Sequence, residues 1–156
     1  MKTEAVKKQE GAGTSPATWL HRISLGLAVI GLMDSIYLSW IKLSGTTALC
    51  GGVGDCESVN NSIYSEINGI PIAFLGAGAY LLILGILLLE GRLGADADWP
   101  VLSLFGLSLI GTLYSIYLTY IEVAVLRAIC PYCVVSAIVI TLLLAISVVR
   151  LRQQLS

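Results

Sequence analysis

Charge is scarce in this chain. Asp, Glu, Lys and Arg make up 12 % of its 156 residues, against 56 % hydrophobic. Soluble domains carry about twice that share of charge, so an ordinary water-exposed globule of this size is excluded. The net charge is −1 and no basic cluster stands anywhere, which leaves no argument for a nucleic-acid partner. Histidine occurs once, as His21, far from every cysteine, and without a nearby imidazole a zinc site loses one of its usual ligands. No haem or flavin motif is visible. The first apolar run reads as a span and not as a cleavable signal, since it is long, carries Asp34 and is followed by no small-residue cleavage site.

What fills the chain instead is hydrocarbon. Four runs, at 18–43, 71–90, 100–125 and 131–150, reach the roughly 20 apolar residues that cross a bilayer core. They predict an all-α integral membrane protein, a four-transmembrane-helix bundle in contact with membrane lipid. Residues 1–17 are polar, with Gly11, Gly13 and Pro16, and read as a disordered cytoplasmic tail. Residues 18–150 form the membrane catalytic domain, and 151–156 a second tail or the start of a linker. Lys and Arg set the orientation. Lys2, Lys7, Lys8, Arg22, Arg92, Arg150 and Arg152 lie on one side, Lys42 and Arg127 on the other. The positive-inside rule then puts both termini in the cytoplasm and the long loop, 44–70, outside it. In that loop Val59, Ile63, Ile67 and Ile70 recur at helical spacing behind Asp55, a candidate cap. They predict a short amphipathic helix on the membrane face, ended by Asn68-Gly69.

The chain also repeats itself. Shifted by 80 positions, residues 26–50 overlie 106–130 with 11 identities in 25, including Ser-Ile-Tyr-Leu (Ser35/Ser115 to Leu38/Leu118) and Cys50/Cys130. An in-register tetrapeptide with a matching cysteine points to duplication, with two helices running the same way and each delivering a cysteine to one membrane face.

The only cysteines are Cys50, Cys56, Cys130 and Cys133, and the orientation argument places all four on the side where disulfides persist. Cys130 precedes Pro131, a favoured first helical residue, so Cys133 falls one turn in, about 4.5 Å along the axis. The unpaired amides of that helix start favour thiolate. This geometry puts Cys130 at the rim, within reach of the loop, and Cys133 deeper in the bundle. Cys50 and Cys56 bracket Gly51, Gly52 and Gly54, whose permissive backbone suits an arm that exchanges partners. Two pairs arranged this way suggest electrons relayed by thiol–disulfide exchange; two structural staples or a four-cysteine zinc site are the rival readings. A quinone, a lipid-soluble two-electron acceptor, fits a bundle that opens to the bilayer, and Phe74, Leu75 and Gly78 at the outer end of the second span are candidates to line its slot. Asp34 is a proton-delivery or packing carboxylate inside the first span. Glu122 reads as interfacial, and Gly26, Gly31, Gly76, Gly78, Gly106 and Gly111 as points of close helix approach.

Three segments together resemble bacterial members of the vitamin K epoxide reductase family: Cys56-Glu57-Ser58-Val59-Asn60 behind Cys50, Gly69-Ile70-Pro71-Ile72-Ala73, and Cys130-Pro131-Tyr132-Cys133. The likeness covers roughly residues 20–150. It implies a four-helix thiol oxidoreductase that reduces a quinone of the ubiquinone, menaquinone, plastoquinone or phylloquinone type and supports disulfide formation, with no metal. It implies Cys130–Cys133 as the centre facing the quinone, Cys133 nearest the ring. Cys50 and Cys56 match the shuttle, with Cys56 pairing with Cys130, and Ser62 matches a loop serine near the site. The implied donor is a thioredoxin-like protein, separate or fused, and the implied location a bacterial inner or thylakoid membrane. DsbB-like oxidases share the chemistry but carry their C-x-x-C in the first external loop.

Overall fold

The computed structural model describes residues 16–46, 56–93 and 98–156. Helix α1 spans Pro16–Ser44, α3 Ile72–Leu93, α4 Trp99–Tyr120 and α5 Pro131–Leu155, with the short α2 at Cys56–Asn60. Four segments, Thr18–Ser44, Ile72–Leu93, Trp99–Leu126 and Pro131–Leu155, are long and apolar enough to cross a membrane. The protein is thus a multi-pass, all-α membrane bundle. The helices form a ring in which α1 packs on α3, α3 on α4, α4 on α5 and α5 on α1. Proline stands at the start of both α4 and α5, where a missing amide costs nothing. The last helix runs on through Leu155, past the boundary near Arg150 expected from hydropathy.

The bundle is apolar outside as well as inside. Met33, Trp40, Leu82, Leu102, Ile110 and Ile116 are exposed, as lipid-facing side chains must be. Its centre holds Ala28, Tyr80, Ile83, Leu87, Leu104, Val139, Ile140 and Leu143. Helices approach closely where glycine omits a side chain. A Cβ on Gly31 would strike the Tyr80 ring, and one on Gly111 would sit 2.8 Å from Ile140 Cγ1. These two glycines are repeat equivalents, so the duplicated helices each receive a side chain from a neighbour at the same step. Gly76 faces Ser35, while Gly26, Gly78 and Gly106 have open space, so close approach holds for three of the six. At the end away from the cysteines, Arg150 of α5 pairs with Glu90 of α3, and His21 Nδ1 of α1 lies 3.5 Å from Glu90 Oε2.

The loop between the first two spans departs from the expected single helix. Helix α2 stops at Asn60, a 3₁₀ turn covers Ile63–Ser65, and Glu66–Ile67 (β1) pairs antiparallel with Ile70–Pro71 (β2). Asn68 and Gly69 have positive φ, 53° and 82°, as a tight hairpin turn requires. Asn-Gly therefore reverses a hairpin here and does not end a helix; the apolar spacing of Val59 to Ile70 was compatible with both. Lys42 of α1 ties the loop down, donating to the Asn60 carbonyl oxygen (2.6 Å) and Ser65 Oγ (3.3 Å) and pairing with Glu66 (3.1 Å). Cys50, the three loop glycines and the Asp55 cap lie outside the described residues.

Candidate active site

Pro131 fixes the start of α5, and Cys130 precedes it in extended backbone (φ −97°, ψ 113°). Cys133 follows one turn into the helix. Both are free thiols. Cys130 is only 1 % exposed, whereas Cys133 is half-buried. The rim position expected for Cys130 is therefore a sealed one, while Cys133 keeps part of its surface open; both line the cavity described below. Hydrogen bonding from the Cys133 thiol holds the Cys130 thiol below its ordinary pKa; burial and the Glu122 charge oppose this, and the amides of Cys133 and Tyr132 assist it. Those amides form no capping bond with the sulfur and act through their positive ends.

Glu122 is buried, not interfacial as its place near a span end suggests. It is 4 % exposed, accepts a hydrogen bond from the Cys130 backbone amide and interacts with the Cys133 thiol. Two features bring it inside. The buried stripe Leu104, Ser108, Thr112 leads by helical steps to the cavity-lining Ser115 and Thr119 and then to Glu122, a spacing present in the sequence. The end of the third span then widens into a π-helix at Ile121–Leu126, closed by Arg127 in the left-handed region at φ 51°. The extra residue per turn keeps Ile121 and Glu122 inward while Val123 and Val125 face out.

A cavity of about 410 Å³ opens among all four spans and the loop, a size typical of small-molecule sites. Cys130, Cys133 and Glu122 line it, as do Asp34, Ser35, Tyr80 and Ser136. Tyr80 Oη, 3 % exposed, hydrogen-bonds the Ser136 carbonyl oxygen at 3.1 Å. Asp34 is 9 % exposed and its Oδ2 has no partner among the described residues, which leaves a buried polar atom beside an apolar space. Ser35 and Ser115, equivalent in the repeat, both line the cavity. Of the positions expected around a quinone, Ser62 and Leu75 line it as well. Phe74 and Gly78 do not. One helical turn apart, they share the outer face of α3, while Ile72, Gly76, Ala79 and Tyr80 turn inward.

Cys56 opens α2 and is 2 % exposed. It is disulfide-bonded, and since Cys130 and Cys133 are free, neither is its partner. Helix α2 packs against the π-segment, so the loop carrying Cys56 rests on the strand of chain that holds Glu122. Among the described residues no cluster of three potential metal ligands forms.

The profile described as the vitamin K epoxide reductase family matches residues 22–148. The thiol-disulfide oxidoreductase LTO1 of Arabidopsis thaliana is 33 % identical over 129 residues, covering 79 % of this chain and 34 % of that protein. The chain thus spans about a third of the length of this curated relative.

Proposed function

Because the chain belongs to the vitamin K epoxide reductase family, a membrane thiol oxidoreductase, we propose that it passes electrons from protein thiols outside the cytoplasm to a membrane quinone. One observation carries this reading: a free dithiol, Cys130 and Cys133, borders a mostly apolar cavity lined by all four membrane-spanning segments. The cavity suits a quinone ring by its size, its mostly apolar walls and the unpartnered Asp34 Oδ2, whose carboxyl in its protonated form donates a hydrogen bond to a carbonyl oxygen. A bound quinone supplies the two-electron sink. Cys133, with open surface on the cavity, faces that sink, and Cys130, the more acidic thiol, exchanges with the shuttle.

Cys50 and Cys56 then act as the shuttle. Two reducing equivalents reach Cys56 from a thioredoxin-like partner; the plant relative's name supports thiol–disulfide chemistry. Attack of the Cys56 thiolate on Cys130 breaks the Cys130–Cys133 bond and frees Cys133, and Cys50 resolves the mixed disulfide. The positive-inside distribution supports external cysteines and cytoplasmic termini. Single cysteine variants test the division. Cys130→Ala or Cys133→Ala should abolish quinone reduction with any donor. Cys50→Ala or Cys56→Ala should abolish it with a protein donor but spare it with a small dithiol. Equal loss in all four variants with both donors counts against the relay.

A further inference from the structure

We propose that Glu122 is the proton carrier of Cys133: its carboxylate takes the thiol proton when Cys133 attacks a disulfide, and returns it when Cys133 leaves. The inference rests on the reading of Cys130–Cys133 as the redox pair and adds a catalytic residue to it. Glu122 is 4 % exposed, and among the described residues it has no ion-pair partner, unlike Glu66 and Glu90. A buried carboxylate without a cation costs stability unless something compensates. Here the compensation comes from the redox pair itself, the Cys130 amide on one side and the Cys133 thiol on the other. The other carboxyl in the cavity, Asp34, acts on the Tyr80 and Tyr132 phenols, whereas Glu122 acts on both cysteines. The π-segment that carries Glu122 is itself a local departure from α-helix of the kind found at functional sites.

With a donor sulfur bonded to Cys130, the Cys133 S–H proton moves to Glu122. The Cys133 thiolate attacks the Cys130 sulfur, the Cys130–Cys133 bond forms and the bond to the donor breaks. The donor leaves as a thiolate and takes the proton back from Glu122. No electrons are gained or lost overall, since one disulfide is exchanged for another. In the opposite direction the same carboxyl group protonates Cys133 as it is expelled.

The test needs no quinone. The purified full chain, with Cys50 and Cys56 replaced by serine and the remaining pair reduced, is mixed with 2-hydroxyethyl disulfide and quenched with acid at intervals. Mass spectrometry follows the mercaptoethanol adduct and the Cys130–Cys133 disulfide that replaces it. Glu122→Gln keeps the shape and an acceptor for the Cys130 amide but cannot hold the proton. We expect it to lengthen the adduct's lifetime about 100-fold near neutral pH, with the deficit closing as pH rises and Cys133 ionises unaided. Glu122→Asp should fall between the two, and resolution in the unsubstituted pair should slow in heavy water. An adduct lifetime in Glu122→Gln equal to that of the parent, or a deficit that stays constant with pH, overturns the proposal. If Glu122→Gln does not fold, absence of a solvent isotope effect in the parent overturns it. If the parent adduct never resolves to a Cys130–Cys133 disulfide, the redox-pair reading itself fails.

Discussion

Lys42 offers the sharpest way to perturb the loop without touching a cysteine. Its ammonium donates to the Asn60 carbonyl oxygen at 2.6 Å and to Ser65 Oγ at 3.3 Å, and pairs with Glu66 at 3.1 Å. Hydrogen bonds from a charged donor contribute about 1.5–3 kcal/mol. The Glu66 side chain is 43 % exposed, so the ion pair adds at most about 1 kcal/mol. Lys42→Met keeps the aliphatic stem and removes the head, and should weaken closure of the loop by about 2 kcal/mol, or about 30-fold in the open population. Hydrogen–deuterium exchange on the full chain in nanodiscs reads this directly. Amides in residues 57–71, including Asn61 and Ser65, which bond to Glu57 and Ser62, should exchange about 30-fold faster, while α3 and α5 stay unchanged. Unchanged loop exchange would refute the pin, and acceleration spread over the spans would mean that Lys42 holds the bundle instead.

Two further outcomes follow from the same geometry. Gly31→Val should drive its side chain into the Tyr80 ring and lower stability by about 1–3 kcal/mol, whereas Gly78→Ala, with open space around it, should be neutral or slightly stabilising in a helix; denaturation in mild detergent compares them. Alkylation of Cys130 should rise with pH through a midpoint below the ordinary thiol value of 9.0, and Cys133→Ala, which removes the main cause, should move that midpoint up. Because the folded-state value is the lower one, ionised Cys130 stabilises the reduced fold above the ordinary thiol pKa, and that contribution is lost as pH falls through the lowered value.

The spans were legible because membrane helices announce themselves by length and hydropathy, and Pro131 announced the start of α5 with Cys130 just outside it. The repeat was legible too, and Gly31/Gly111 and Ser35/Ser115 show its structural echo in close packing and in the cavity wall. The loop was not, because Ile67 and Ile70 fit a helical period as well as a two-residue ladder, and only the positive φ of Asn68 and Gly69 separates them. Glu122 was missed because a carboxylate near a span end is usually solvated. Its burial depends on a π-segment and on a cysteine amide eight residues later, neither of which composition reveals. Phe74 fits a slot position by its place along the span, but its place around the helix turns it away from the cavity.

Everything above turns on whether the Cys130–Cys133 dithiol reduces a quinone in the cavity it borders. Anaerobic titration of the reduced, purified chain with a short-tailed ubiquinone tests it most directly, following quinol by absorbance and the disulfide by non-reducing peptide mapping. Quinol should form in step with the Cys130–Cys133 disulfide, and Cys133→Ala should yield none. Quinone left oxidised while the dithiol stays reduced, or quinol formed equally well without Cys133, would contradict it.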